Sequence, residues 1–164
     1  MHQSYLPPVA IAEYVDAVLQ CGSMPLPEPP NDLSEEGRIG WEGAVRETAA
    51  LYLLSAADEV RKRLTDENGE PLGRVDAKIL RARTSRYPYA LAKLAARMMA
   101  ELSGGAVGDS TGRGRRGGKI YYFSHRMPSY PELLYTFVDS GVLRSPQYVE
   151  WKRAVDAAEE AREL

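Results

Sequence analysis

The stretch RVDAKILRARTSRYPYALAKLAARMMAELSGGAVGDSTGRGRRGGKIYYF, residues 74–123, decides how this chain folds. At 100° per residue, Leu91, Leu94, Met98 and Leu102 lie within about 80° of one another on a helix, so they form one apolar face. Tyr89, Lys93 and Arg97 fall on the opposite side, joined by Arg86 if the helix extends back to it. Before this helix, Thr84-Ser85-Arg86-Tyr87-Pro88 reads as a turn and a helix start, with Thr84 or Ser85 as cap and Pro88 in the first turn. A shorter helix fits Val75 to Arg83, with Val75, Ile79 and Leu80 inward. Ser103-Gly104-Gly105 stops the longer helix. The period then changes. Ala106-Val107 reads as a short strand and Lys119-Ile120-Tyr121-Tyr122-Phe123 as a clear one, rich in β-formers. The two pair as a hairpin whose tip, Gly112 to Gly118, carries Arg113, Arg115 and Arg116. Alternation places Tyr121 inward with Phe123.

Charge marks the same region. Residues 74–126 hold twelve Lys and Arg against Asp76, Glu101 and Asp109, a formal +9. Residues 1–73 carry −8 and residues 127–164 carry −3, so a net charge of −2 conceals a strong internal separation. Such asymmetry points to a polyanionic partner for the middle of the chain.

Outward from the centre, the pattern is helical. Residues Pro8 to Leu19 read as a short helix with Ile11, Val15, Val18 and Leu19 as its stripe, ended by Cys21-Gly22-Ser23. Met24-Pro25-Leu26-Pro27-Glu28-Pro29-Pro30 is too proline-rich for helix or central strand. It is an extended connector, with a ligand for a proline-reading domain as the functional alternative. Ser34 caps a long helix running to Leu64, its face built from Trp41, Val45, Ala49, Tyr52, Ala56, Val60 and Leu64. Asp66-Glu67-Asn68-Gly69 and Pro71-Leu72-Gly73 break it. Downstream, Ser129 and Glu132 form a capping box for a helix with Leu133, Leu134, Phe137 and Val138 inward, and Ser145-Pro146 starts a last helix. The expected division is an N-terminal helix and connector over 1–30, a long helix and basic core over 31–126, and a C-terminal helical hairpin over 127–164 that serves for pairing.

Composition narrows the class. The chain has 164 residues, enough for one ordinary core. No run approaches the roughly 18 apolar residues of a membrane span, and no secretion signal opens the chain. With one cysteine, Cys21, and two histidines, His2 and His125, neither an internal disulfide nor a His/Cys zinc site is expected, and no cofactor is called for. A cytoplasmic setting follows. Gly112 to Gly117 spells G-x-G-x-x-G, but a dinucleotide fingerprint needs a strand before it and a helix after it, and here a strand follows. Ser124-His125 is the one hydroxyl beside an imidazole. Adjacent strand residues point to opposite faces, and no partner carboxylate is evident, so no enzyme is expected.

Helix, turn, helix, basic-tipped hairpin is the order of a winged helix-turn-helix. From Val75 to Phe123 the sequence resembles winged-helix DNA-binding domains, above all in Gly-Arg-Gly-Arg-Arg-Gly-Gly-Lys-Ile-Tyr-Tyr-Phe. The resemblance implies a reading role for the helix after Thr84-Ser85 and a backbone or minor-groove role for the hairpin tip. It implies nucleic-acid contacts from Arg81, Arg83, Arg86, Tyr89, Lys93, Arg97, Arg113, Arg115, Arg116 and Lys119. The helix before the turn is short and the loop from Val107 to Lys119 is long for a wing. A second, fainter resemblance joins Leu133-Leu134-Tyr135-Thr136-Phe137 through Ser145-Pro146 to the C-terminal part of RelE/HigB-like ribonuclease toxins, which place a strand at that first element. The expectation is therefore a mostly α protein with a small β-hairpin (α+β), a winged helix-turn-helix core and flanking helices. It binds double-stranded DNA as a homodimeric transcriptional regulator. The rival readings are an assembly adaptor whose basic stretch meets an acidic protein, RNA in place of DNA, and, from the second resemblance, a RelE/HigB-like ribonuclease toxin.

Overall fold

A side-chain cap at Ser34 and a face rich in alanine set the longest element. In the computed structural model, residues 6–22, 24–31, 34–109, 118–124, 127–144, 154, 157, 158 and 160–162 are described. Helix α1 spans Pro8–Gln20 and helix α2 spans Glu35–Arg63. The Ser34 hydroxyl accepts from the Gly37 amide at 3.1 Å, and Glu35 and Glu36 face the positive end of α2. At the other end Arg61, Lys62 and Arg63 complement the negative end. Glu59 receives Arg63 Nε at 2.9 Å, the i,i+4 pair that the sequence order favours.

The face that α2 buries is made of Ala49, Ala50, Leu53, Ala56, Ala57 and Val60, all shielded from solvent. Small side chains there let α4, Tyr89–Leu102, approach closely with its own Ala92, Ala95, Ala96 and Ala100. Leu91, Met98 and Met99 supply the bulk, each fully buried Leu or Met side chain contributing roughly 1.5–3 kcal/mol. Leu94 departs from expectation. It is only half-buried and lines an open cleft, because the inward arc of α4 is centred on its alanines and not on the Leu91–Leu94 edge.

Between α2 and α4 the chain makes a short strand, β1 (Arg74–Val75), and a short helix, α3 (Ala77–Arg83). Val75 therefore stands in a strand and does not begin a helix. The residue that starts α3 is Asp76, whose carboxylate accepts the Ile79 amide at 2.9 Å. Thr84 does not cap α4 either. Its hydroxyl donates back to the Leu80 carbonyl at 2.6 Å and closes α3, and Pro88 occupies the N-cap position of α4.

Strands β2 (Ala106–Asp109) and β3 (Lys119–Tyr122) pair antiparallel, Val107 opposite Tyr121 and Gly108 opposite Ile120. β1 joins the free edge of β3, with Val75 opposite Tyr121, so the strand order is β1-β3-β2. Tyr121 faces inward and Tyr122 is exposed, as alternation requires. Helix α5, Tyr130–Asp139, starts with the reciprocal capping box of Ser129 and Glu132 and buries Leu133, Leu134 and Phe137. A helix at this position does not fit the strand of a RelE/HigB-like toxin. The protein is mostly helical with a small three-stranded antiparallel sheet.

One hydrophobic core takes residues from α1, α2, α4, the sheet and α5 together. The proline connector is tied down at Pro27, whose carbonyl accepts from Trp41 Nε1 at 3.0 Å. The expected arginine tip at Arg113, Arg115 and Arg116 and most of the expected last helix lie outside the described residues. No described helix is long and apolar enough to cross a membrane.

Candidate functional site

The α3–α4 corner gathers three of the expected residues around one ring. Arg81, on the last turn of α3, places its guanidinium carbon 4.0 Å from the centroid of Tyr89. Lys93, one turn along α4, places its ammonium 5.0 Å from the same centroid. Each such contact contributes about 0.5–1 kcal/mol at an exposed site. The larger consequence is positional: the ring fixes two flexible cations at the N-terminal end of α4. Pro88 offers no side-chain acceptor there, whereas α2, α3 and α5 each begin with a capping hydroxyl or carboxylate. The first-turn amides of α4 and its positive dipole end are therefore left to other partners, the arrangement that suits phosphate.

Arg97 continues the exposed stripe one turn beyond Lys93 and is paired with Glu101 at 3.5 Å. Its guanidinium carbon also lies 6.0 Å from the ring centroid of Tyr14 on α1. Lys119, at the start of β3, is held by Asp109 across the hairpin at 2.6 Å. Arg81, Tyr89, Lys93, Arg97 and Lys119 thus occupy one side of the molecule, spread over α3, α4 and the hairpin.

Arg83 and Arg86 turn elsewhere. Arg83 Nη1 donates to the Arg63 carbonyl at 3.1 Å and the Thr65 carbonyl at 3.4 Å, closing the C-terminal end of α2. Arg86 sits in the turn before α4, not on the helix, and approaches Glu59 at 4.0 Å. With Lys62 and Arg63 they line a shallow hollow over the buried Glu59 carboxylate. The sequence placed Arg86 on the reading face because it extended the helix back through Pro88.

Between α1, α4 and the hairpin lies a cleft of about 790 Å³, lined by Ala17 and Gln20 of α1 and its C-cap Cys21, by Ala90, Lys93, Leu94, Arg97 and Glu101 of α4, and by Ala106, Val107, Lys119 and Tyr121 of the sheet. No spacing within residues 74–123 announces it, because one wall is α1. Burial pushes the Tyr121 phenol up to about 12, with the neighbouring Tyr89 adding to the effect and Arg97 opposing it. Burial raises Tyr14 further still, and Glu101 beside it acts in the same sense. The Tyr14 hydroxyl has no hydrogen-bond partner of good geometry.

Ser124 donates to the Ser103 carbonyl at 3.3 Å, which ties the hairpin to the end of α4, and His125 lies outside the described residues. Among the described residues no group of three His, Cys, Asp or Glu could hold a metal ion. No protein-family model, no curated protein and no solved structure matches this chain.

Proposed function

We propose that this protein binds double-stranded DNA through α4, as a winged helix-turn-helix regulator. The observation that carries the reading is the order of elements, α2-β1-α3-α4-β2-β3 with strands paired β1-β3-β2, combined with the cations on the outer stripe of α4. A major groove about 12 Å wide admits one helix, apolar behind and cationic in front. Helix α4 has that division: Ala92, Ala95, Ala96 and Met99 inward, Tyr89, Lys93 and Arg97 outward. The hairpin beside it carries the glycine-arginine run of residues 112–118 between its strands, a basic loop suited to phosphates or a minor groove. Lys93 and the Arg81–Tyr89 pair stand at the N-terminal half of α4, the part of a recognition helix that meets base edges. One such helix reads few base pairs, so two copies on a two-fold site follow as part of the proposal.

The test is a titration with duplex DNA, single-stranded DNA and duplex RNA at two salt concentrations. Duplex DNA binds most tightly, and its affinity falls linearly in log[salt] with a slope of roughly −0.9 per phosphate contacted. Absence of duplex affinity at low salt, or affinity indifferent to salt, overturns the reading and favours an adaptor that meets an acidic protein.

A further inference from the structure

The cleft between α1, α4 and the hairpin has features that a duplex-binding surface does not require. We propose that it binds a small organic anion with an apolar body, and that this ligand competes with duplex DNA for Lys93 and Arg97. The competition rests on the DNA reading above; occupancy of the cleft does not.

Size comes first. A volume of about 790 Å³ falls within the range of roughly 300–1,000 Å³ typical of small-molecule sites. Its lining is mixed in the way such sites are: Leu94, Val107 and Ala17 are apolar, and Lys93, Arg97, Glu101 and Lys119 are charged. Charge then selects the ligand. Of the three cations, Arg97 is paired with Glu101 and Lys119 with Asp109. Lys93 meets the Tyr89 ring, and no carboxylate lies within ion-pair distance of it among the described residues. One positive charge is thus left over, which matches a monoanion. A carboxylate or sulfonate head would sit at Lys93, with its apolar body over Leu94 and Val107. A phosphodiester strand fits less well, because Glu101 and the apolar Leu94 and Val107 would face its charges.

Cys21 makes the site readable. It lines the cleft, is the only cysteine in the chain, and is partly exposed. The experiment measures its alkylation by iodoacetamide, a neutral reagent, in the full chain. Octanoate is the probe and octylammonium the charge control. At about ten times its dissociation constant, octanoate slows alkylation roughly tenfold, since only the free fraction reacts, and octylammonium does not. Two variants localise the effect. Ala106→Trp, at an exposed position on the cleft wall, fills the space. Lys93→Gln removes the unpaired cation. Both abolish protection by octanoate. Octanoate also weakens duplex binding by the parent chain and leaves duplex binding by Ala106→Trp unchanged.

Equal protection by octylammonium, or none by octanoate, overturns the site whatever happens with DNA. Protection of Cys21 by duplex alone, with loss of duplex affinity in Ala106→Trp, assigns the cleft to the nucleic acid instead. Protection by octanoate in a chain that binds no duplex keeps the site and removes the DNA reading.

Discussion

Replacing Gly105 by Ala tests the joint that sets the hairpin against α4. Helix α4 ends in a Schellman motif: the Gly105 amide donates to the Ala100 carbonyl at 2.8 Å, and Gly104 takes a left-handed φ of 81°. The chain then passes so close to β3 that a Cβ on Gly105 would stand 1.7 Å from the Tyr122 carbonyl oxygen and 2.7 Å from its carbon. A tolerable C···O approach is near 3.2 Å, so backbone must move by about 1.5 Å, several times what a well-packed interior absorbs. Tyr122 cannot yield alone, since it lies opposite Arg74 on one side and Ala106 on the other. The ladder end would open, losing one or two hydrogen bonds at about 1 kcal/mol each, beside the 1–3 kcal/mol of ordinary overpacking. The expected loss is about 3 kcal/mol, a large part of a typical total of 5–15 kcal/mol. Urea denaturation followed by helical circular dichroism measures it. Gly22→Ala is the control: φ is 64° and nothing lies within 4 Å, so only backbone strain of about 1–2 kcal/mol applies. A Gly105→Ala chain within about 1 kcal/mol of the parent, or no worse than the control, refutes the joint as described.

Three further outcomes follow from the site. Lys93→Ala should cost on the order of 1–3 kcal/mol on a preferred duplex and far less on random duplex, and an equal loss on both removes α4 as the reader. Arg83→Ala should lower stability by about 1 kcal/mol, through the lost bonds to the Arg63 and Thr65 carbonyls, while duplex affinity stays near the parent value; an affinity loss without a stability loss reverses that assignment. Tyr121 is buried as a neutral phenol with its pKa raised from 10.0 to about 12, so folding favours the protonated form. Its contribution is fully present below pH 10 and is lost as pH rises through 12, so Tyr121→Phe should flatten the alkaline fall in stability seen in paired denaturation curves.

Much of the fold was legible because its punctuation is chemical. Ser34, Ser129 and Glu132 cap helices where hydroxyl and carboxylate chemistry requires, and Gly104, Gly22 and Gly141 end them in left-handed turns. The hairpin followed from a change of period at Lys119–Tyr122. Strand β1 was not legible. Two residues show no alternation, and Arg74-Val75 is a strand only because β3 offers it an edge. The start of α4 was misplaced because Thr84 and Ser85 are good caps in isolation. Thr84 instead spends its hydroxyl on the preceding helix, which no local rule distinguishes.

Leu91, Met98 and Leu102 are buried as their spacing requires, but Leu94 was misplaced for a related reason. Alanine carries almost no hydropathy signal, so the periodicity followed the leucines and put Leu94 in the core. Alanines on both α2 and α4 instead mark where two helix backbones come close, and that contact rotates Leu94 into the cleft. On the DNA reading proposed above, the rotation has a consequence. The outer stripe of α4 is divided by its partners: Tyr89 holds Arg81 and Lys93 at its first turns, while Arg97, itself exposed, pairs with Glu101 beside Tyr14 of α1. A helix meeting a duplex along its whole length would not place Glu101 on the stripe. Contact that ends at Arg97, with the hairpin supplying the second point of attachment, leaves Glu101 to the cleft. A long Arg97 or Lys93 side chain can serve either neighbour but not both at once, and that shared use is what would make ligand and DNA exclude each other.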